Sequence, residues 1–379
     1  MAFGKFIIMM FAVIGLIDGS ILALVFRKRR FYLWSLGGAI AGAIPAWYFN
    51  WYGLAYDSYG FWSLYLAYLL DGIMVACLII PIPAFILGIL SFIPGLRYFI
   101  SNLGKGLIAI ALVIGVYGCV MGNSREVVEY HDIYVKDHDI YVKDLPAAFD
   151  GYKVAQETDT HIGAYFRYTD MPAELLRAKN EGADVLFFTG DLIDDVRYMP
   201  QVAEDFTKAE KYFPDGIFYI WGNHEYYRNQ PLIEEDLKNT PVKMLVNNHT
   251  YIEKDGQRLY VAGVDFPFAR GTQKEIEEEK WADEAFAGIP KGAPVIFLAH
   301  HSDFIDQGFK HGAFLTLTGH THGTQFGLFG KPIITPFKYT RGMYSDGTHY
   351  GYVARGDASW FPFRFSCPRE LTIFTLHRA

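Results

Sequence analysis

Two histidines, His320 and His322, sit two residues apart in "GHTHGTQ", directly after the apolar run 314–318. Four other polar clusters share that design: Asp159 and His161 in "TDTHIG", Asp191 and Asp194 in "GDLIDD", Asn223 and His224 in "GNHE", and His300 and His301 in "LAHHSDF". Imidazole nitrogen, carboxylate oxygen and amide oxygen without thiolate make a donor set for hard or borderline divalent cations. Two cations roughly 3.5–4 Å apart need a shared ligand, which a carboxylate provides, and the clusters hold donors enough for two sites. Taken singly, each has a structural reading: "GDLIDD" caps a helix, "GNHE" makes a turn, and "AHH" supplies satisfied core groups. Five clusters, each ending an apolar run, are hard to explain that way.

The elements that must position these residues are the apolar runs themselves. "YKVAQE", "DVLFF", "GIFYI", "RLYVAG", "PVIFLA" and "FLTLT" are short and bounded by Gly, Asn or Asp, as buried strands are, with helical stretches predicted at 170–181, 200–212 and 274–287. Strands alternating with helices give an α/β layered domain, and in such sheets ligands gather beyond the carboxyl ends of the strands.

The motifs "DTH", "GDLID", "GNHE", a histidine after "VIFLA", and "GHTHG" resemble, in order and spacing, the calcineurin-like metallophosphoesterase superfamily, across about 150–379. The helices before them make the chain similar to the membrane-anchored bacterial branch, as does the "ARGDASWFPFRFSCPRELTIFTL" ending. The resemblance implies a four-layer α/β/β/α sandwich. It also implies two divalent metal ions (Mn, Fe or Zn), one held by Asp159, His161, Asp191 and His322, the other by Asp191, Asn223, His300 and His320, with Asp191 as the bridge. His224 matches the histidine that contacts the scissile phosphate and helps protonate the leaving group, while Asp194 and Glu225 match supporting residues that orient ligands. A metal-bridging hydroxide would be the nucleophile. Two departures matter: Ser302 stands where proline often follows, with His301 beside His300, so either histidine is open as the ligand although motif position favours His300. Thr324 stands where glycine is usual, in the loop near the phosphate.

The 379-residue chain is 51% hydrophobic and 20% charged, but unevenly so. Of 34 basic and 41 acidic residues, seven and three lie in 1–122, so the first third carries +4 and the remainder −11. A hydrocarbon core needs roughly 20 apolar residues of helix. Phe6 to Phe26 supplies such a run, and about 31–53, 61–92 and 104–121 follow, which predicts about four spans, the third kinked by Pro81 and Pro83. "FRKRRF" and the Arg97–Lys105 loop read as cytoplasmic, and the aromatic loop 51–62 as exoplasmic, with Lys5 as a weak counter-signal. The catalytic domain would then lie on the exoplasmic side of a bacterial cytoplasmic membrane. No cleavage site for a signal peptide follows the first run.

The expected division is thus a transmembrane helical domain over 1–122, a linker and edge strand over 123–149, and a catalytic domain over 150–379. The linker carries HDIYVKD at 131–137, repeated at 138–144, whose histidines read as surface residues of an edge strand. Three cysteines make no disulfide framework, and the acidic balance without a basic stripe argues against a nucleic-acid groove, so no nucleic-acid partner is expected. Asp18 and Asp71 fall inside spans, where carboxylates are costly, and "GGAIAGA" at 37–43 suits close helix packing.

Four helices exceed a tether, so the expected substrate is a phosphoester, phospholipid-like or lipid-linked, cleaved by a phosphodiesterase among membrane lipids. The oligomeric state is not legible. Two other readings compete: an inactive metal-binding receptor or scaffold, against which the intact ligand set argues, and a transporter with an accessory domain.

Overall fold

The computed structural model describes residues 2–54, 60–124, 126–135, 144–333 and 335–379. The chain divides into two units, Met1–Ser124 with Trp360–Arg364, and Arg125–Ser359 with Phe365–Ala379.

The first unit is helical: α1 (Ala2–Val25), α2 (Phe31–Phe49), α3 (Gly60–Ile79), α4 (Pro81–Leu90) and α5 (Arg97–Ser124). Among the described residues, Gly4–Val25 and Arg97–Gly122 are long and apolar enough to cross a membrane. Ser63–Ile79 and Pro81–Leu90 make a third candidate if the pair, bent by 48°, is one span. The bend falls where Pro81 removes a backbone donor. The expected span at 31–53 does not meet the same test, because three glycines and the Trp and Tyr residues of α2 dilute its hydropathy. Two of those glycines, Gly38 and Gly42, serve close packing. A Cβ on Gly38 would lie 2.0 Å from the carbonyl oxygen of Gly15, so the α1 and α2 backbones are in direct contact. Within this unit Trp360 and Phe361 meet Phe49 edge-on, at 5.9 and 5.2 Å between ring centres. Part of the aromatic loop at 51–62, residues 55–59, lies outside the described residues.

The second unit holds fourteen strands among its described residues: β1 (Glu126–Val135), β2 (Lys153–Glu157), β3 (Val185–Phe188), β4 (Ile217–Tyr219), β5 (Lys243–Met244), β6 (Asn248–Lys254), β7 (Gln257–Gly263), β8 (Val295–Leu298), β9 (Leu315–Thr318), β10 (Gly327–Leu328), β11 (Lys331–Pro332), β12 (Gly342–Ser345), β13 (Tyr350–Val353) and β14 (Arg369–Arg378). Two six-stranded mixed sheets result, ordered β1-β14-β2-β3-β4-β5 and β12-β13-β9-β8-β7-β6. Their inner faces share one core, in which Val154, Phe187, Phe218 and Phe374 of the first sheet meet Val261, Ile296, Leu317 and Tyr352 of the second. The outer face of the first sheet is covered by α6 (Met171–Asn180), α7 (Met199–Ala209) and, after the short α8 (Asn223–Arg228), α9 (Gln230–Lys238). That of the second is covered by α10 (Thr272–Phe286) and α11 (Phe304–His311). The helical stretches expected at 170–181, 200–212 and 274–287 correspond to α6, α7 with its 3₁₀ extension, and α10.

The first HDIYVKD copy enters β1, an edge strand paired in parallel with β14 over ten residues. His131, expected at the surface, is half-buried with its ring 4.7 Å from Tyr352. The second copy, apart from its last residue, lies outside the described residues. Strands β2, β3 and β4 run parallel, as do β8 and β9, so each trio or pair delivers its carboxyl ends to one side. Gln156 Nε2 donates to the Thr318 carbonyl at 3.1 Å, stitching β2 of one sheet to β9 of the other just below those ends.

Candidate metal centre

Each polar cluster emerges within a few residues of a strand end: Asp159 after β2, Asp191 after β3, Asn223 after β4, His300 after β8 and His320 after β9. To turn the side chains back over the sheet, the backbone enters the left-handed region at Asp159 (φ 55°), His161 (φ 44°), Asp191 (φ 55°), His320 (φ 69°) and His322 (φ 48°). Such residues cost roughly 1–3 kcal/mol each and persist only where the surroundings over-determine them. Here they do. The Asp159 carboxylate accepts the His320 N–H at 3.1–3.2 Å, and Asp159 and His161 donate their own N–H groups to the carbonyls of Gly190 and Asp191.

Asp159, His161 and His322 form one compact group and Asp191, His300 and His320 another. His161 Nε2 lies 3.0 Å from His322 Nε2, two ring nitrogens facing each other in a buried site. Asp159 Oδ1 is 3.3 Å from the latter. Asp191 spans the two groups. Its Oδ2 is 3.2 Å from His300 Nε2 and 3.6 Å from His161 Nε2, while its Oδ1 accepts the His224 N–H at 2.8 Å. His300 Nδ1 donates to the Thr189 carbonyl at 2.6 Å, which leaves Nε2 as a lone pair aimed into the cluster. That nitrogen and Asn223 Oδ1 are buried without a hydrogen-bond partner. Lone pairs converging in this way are stable only around positive charge, so the donors fit divalent cations.

The electrostatics agree. Burial opposes the charge of Asp191, yet the imidazoles of His300 and His224 hold its carboxyl well below the usual range. Burial likewise opposes a proton on His300, but Asp191 and Asp159 outweigh it and raise the ring to about 9, so a cation would have to displace a proton from Nε2 to gain that lone pair. His320 is pushed well down by burial and by its histidine neighbours, so it is a neutral donor.

The supporting residues brace this arrangement. Glu225 is fully buried and accepts the backbone N–H groups of Leu192 (2.6 Å), Gly222 (2.9 Å) and Asp191 (3.2 Å), tying the turn after β4 to the turn after β3. Gly222 cannot carry a side chain, because a Cβ there would stand 2.1 Å from Asp191 Oδ1. Asp194 Oδ1 is 2.6 Å from His224 Nδ1, and its Oδ2 is 3.3 Å from His161 Nδ1. Burial works against the His224 cation, but Asp194 and Asp191 raise its pKa to about 10.

Of the adjacent histidines, His300 faces both aspartates, whereas His301 is engaged by Lys274 Nζ (3.2 Å) and pushed down to about 4 by burial and that lysine. Thr324 adopts φ 61°, a conformation glycine would favour, and its hydroxyl donates to the Gly323 carbonyl at 2.8 Å. Two neighbours escaped sequence reasoning. Arg228 donates to Asp194 from Nε (3.1 Å) and Nη2 (3.0 Å), and Phe266 lies 5.2–5.9 Å from the rings of His300, His301 and His320. Arg228 lies one turn beyond His224, so a short helix after "GNHE" was the available signal; nothing marks Phe266. Beside His224 and Phe266 stand Tyr226, Tyr227 and Phe268, whose rings pack together at 5.3–5.9 Å and are all solvent-exposed.

The calcineurin-like phosphoesterase family model matches residues 152–324. The metallophosphoesterase YkuE of Bacillus subtilis is 30% identical over 289 residues, covering 74% of this chain and 96% of its own length. A metallophosphoesterase of Helicobacter pylori is 27% identical over 236 residues, 59% of either chain. The phosphodiesterase YaeI of Escherichia coli is 27% identical over 166 residues, 42% of this chain and 57% of its own. Strand-end clusters able to bind metal, a family match that covers them and a relative aligned over nearly its whole length lead to one conclusion: the chain belongs to the calcineurin-like phosphoesterase family and is a metal-dependent phosphoester hydrolase.

Proposed function

We propose that the protein is a membrane-anchored dinuclear-metal phosphodiesterase whose substrate carries an apolar group, a lipid-linked phosphoester above all. The observation that carries the dinuclear reading is Asp191 Oδ2, one oxygen within 3.2 and 3.6 Å of nitrogens from both histidine groups. Asp159, His161, Asp191 and His322 would hold one cation, and Asp191, Asn223, His300 and His320 the other. When bound, the two cations supply charge neutralisation for the phosphate and acidify a water so that a nucleophile exists near neutral pH. The chain's own residues do the rest. Asp191 joins the two half-sites, Glu225 holds its turn, and Asp194 fixes the ring of His224 through Nδ1 so that Nε2 faces the leaving oxygen as proton donor.

Diester preference is supported by the name of the Escherichia coli relative. The exposed Tyr226, Tyr227 and Phe268 beside His224 support an apolar ester group, since aromatic faces bind such groups with little ordering cost. Two helices apolar enough to cross a membrane support the anchor. The basic loop 27–30 supports an exoplasmic catalytic unit, which a cysteine-labelling scan in intact cells would test.

The test is manganese-dependent hydrolysis of bis-p-nitrophenyl phosphate and p-nitrophenyl phosphate by the detergent-purified full chain. Wild type should prefer the diester. Asp191→Asn should lose about 10³-fold in kcat/KM, the several kcal/mol a Lewis acid contributes. His224→Ala should lose about 10²- to 10⁴-fold in kcat while binding as much metal. Metal-loaded wild type that cleaves neither ester, nor any in a lipid extract, would end the catalytic reading.

A further inference from the structure

We propose that the β10–β11 hairpin is a bilayer-docking element, with Leu328, Phe329 and Ile333 entering the headgroup–acyl boundary of an anionic membrane. The hairpin is minimal. Gly327 pairs with Pro332 and Leu328 with Lys331, so Phe329 and Gly330 alone make the connection, with φ of 49° and 78°. Two consecutive residues at positive φ are the signature of the type I′ turn, for which Asn-Gly is the favoured pair. An aromatic residue there is an outlier. Phe329 is nonetheless 92% exposed, and Leu328 and Ile333 are 49% and 52% exposed. The turn therefore accepts strain to hold its most apolar side chain in solvent, with no return inside the fold. Both costs are recovered if the tip has an apolar environment outside it.

Three observations commit that environment to a bilayer. First, the inference rests on the membrane reading above, in which the apolar helices keep the chain at a membrane. Second, hydrogen bonds within its own unit hold the hairpin, so its apolar tip stays presented to the surroundings. Gly327 N–H donates to the Phe365 carbonyl (2.8 Å), Phe365 N–H to the Gln325 carbonyl (2.9 Å) and Gly330 N–H to Ser366 Oγ (2.9 Å). Third, the local charge suits anionic lipid. Residues 326–345 contain Lys331, Lys338 and Arg341 and no acidic residue, in a chain of net charge −7. Lys338 is paired with Asp306, while Lys331 is exposed within the hairpin itself. A tip of three side chains offers a protein partner little complementary area, whereas the interfacial layer accepts it without shape matching.

The test uses the full chain in nanodiscs of phosphatidylglycerol and phosphatidylethanolamine. Cys77, Cys119 and Cys367 are buried, so an environment-sensitive maleimide fluorophore on Phe329→Cys reads the tip under native conditions, with Lys208→Cys on α7 as the solvent control. The label at 329 should shift to the blue and be quenched by nitroxide lipid, and the label at 208 should do neither. In a second arm, Phe329→Asp should keep wild-type hydrolysis of the soluble diester within about twofold. It should lose about tenfold or more on a fluorogenic lipid phosphoester embedded in the same bilayer, because a carboxylate is excluded from that layer. An aqueous, unquenched label at 329 in a chain that survives a carbonate wash would overturn the docking alone. Release of the chain by the wash would overturn the membrane reading and the docking together. A blue shift without nitroxide quenching would mean protein cover, and also refutes the proposal. A wild type that cleaves no lipid ester would weigh against the substrate reading, while the spectroscopic arm still decides the docking.

Discussion

Two turns only a few residues apart put non-glycine residues into left-handed backbone, and they answer the resulting strain differently. In the first, His320 (φ 69°) and His322 (φ 48°) are held by the Asp159 carboxylate on the His320 N–H and by the Thr321 hydroxyl, which donates to the Thr340 carbonyl at 2.5 Å. In the second, Phe329 (φ 49°) projects into solvent. The buried turn finds its compensation inside the fold, in hydrogen bonds to a cluster able to bind metal. The exposed turn is braced through the Gly330 N–H on Ser366 Oγ, but its phenylalanine ring stands 92% exposed. Strain that the fold over-determines marks a site completed from within, and strain that it leaves uncompensated marks a surface completed from without.

The comparison breaks hardest at the bracing of the buried turns. Gly222→Ala keeps an unstrained backbone but drives a methyl to 2.1 Å from Asp191 Oδ1, so displacement of that carboxylate should cost about 10²-fold or more in kcat/KM, read with the chromogenic diester. Glu225→Gln leaves one of three buried backbone donors facing an amide NH₂. Steady-state kinetics should register a loss of about 10- to 100-fold, together with weaker metal binding by titration.

Cations should stabilise the first turn and leave the second untouched. Manganese at 100 times its dissociation constant should stabilise the catalytic unit by about 2.7 kcal/mol, seen as a rise in Tm that a chelator reverses and that Asp191→Asn lacks. If both proteins rise equally, the cation binds elsewhere. The smallest effect sharpens the other side. Phe329→Asn relieves the left-handed phenylalanine and should raise stability by roughly 0.5–1 kcal/mol in detergent, with unchanged hydrolysis of soluble ester. A destabilised variant would show that Phe329 packs within the fold and that its strain is compensated there.

Much of the catalytic unit was legible because its signals are local. The strands "DVLFF", "PVIFLA" and "FLTLT" are short apolar runs that any layered domain must bury, and β3, β8 and β9 lie within them. The donors lie just past strand ends, so strand boundaries located them. Less was legible where the signal is thin. Two-residue strands such as β10 and β11 show no alternation, and "LFGK" lacks the Asn-Gly that announces a tight hairpin. The span expected at 31–53 rested on the length of its apolar run, and the glycines, Trp and Tyr of α2 leave it less apolar than the two candidate spans α1 and α5. The choice between His300 and His301 rests on which ring faces Asp191, and adjacent residues in sequence give no vector.

By itself, the sequence determined the donor types, their order and the α/β class, since composition and period follow from which side chains must be buried. Only the tertiary structure decided that one oxygen of Asp191 lies between the two histidine groups, that Glu225 gathers three backbone donors beneath it, and that Phe329 stands in solvent. The reason is physical. Donor chemistry and strand formation are properties of single residues and short runs, whereas convergence to within 3–4 Å depends on the register of two sheets and the handedness of five separate turns, which are set by packing across the whole unit.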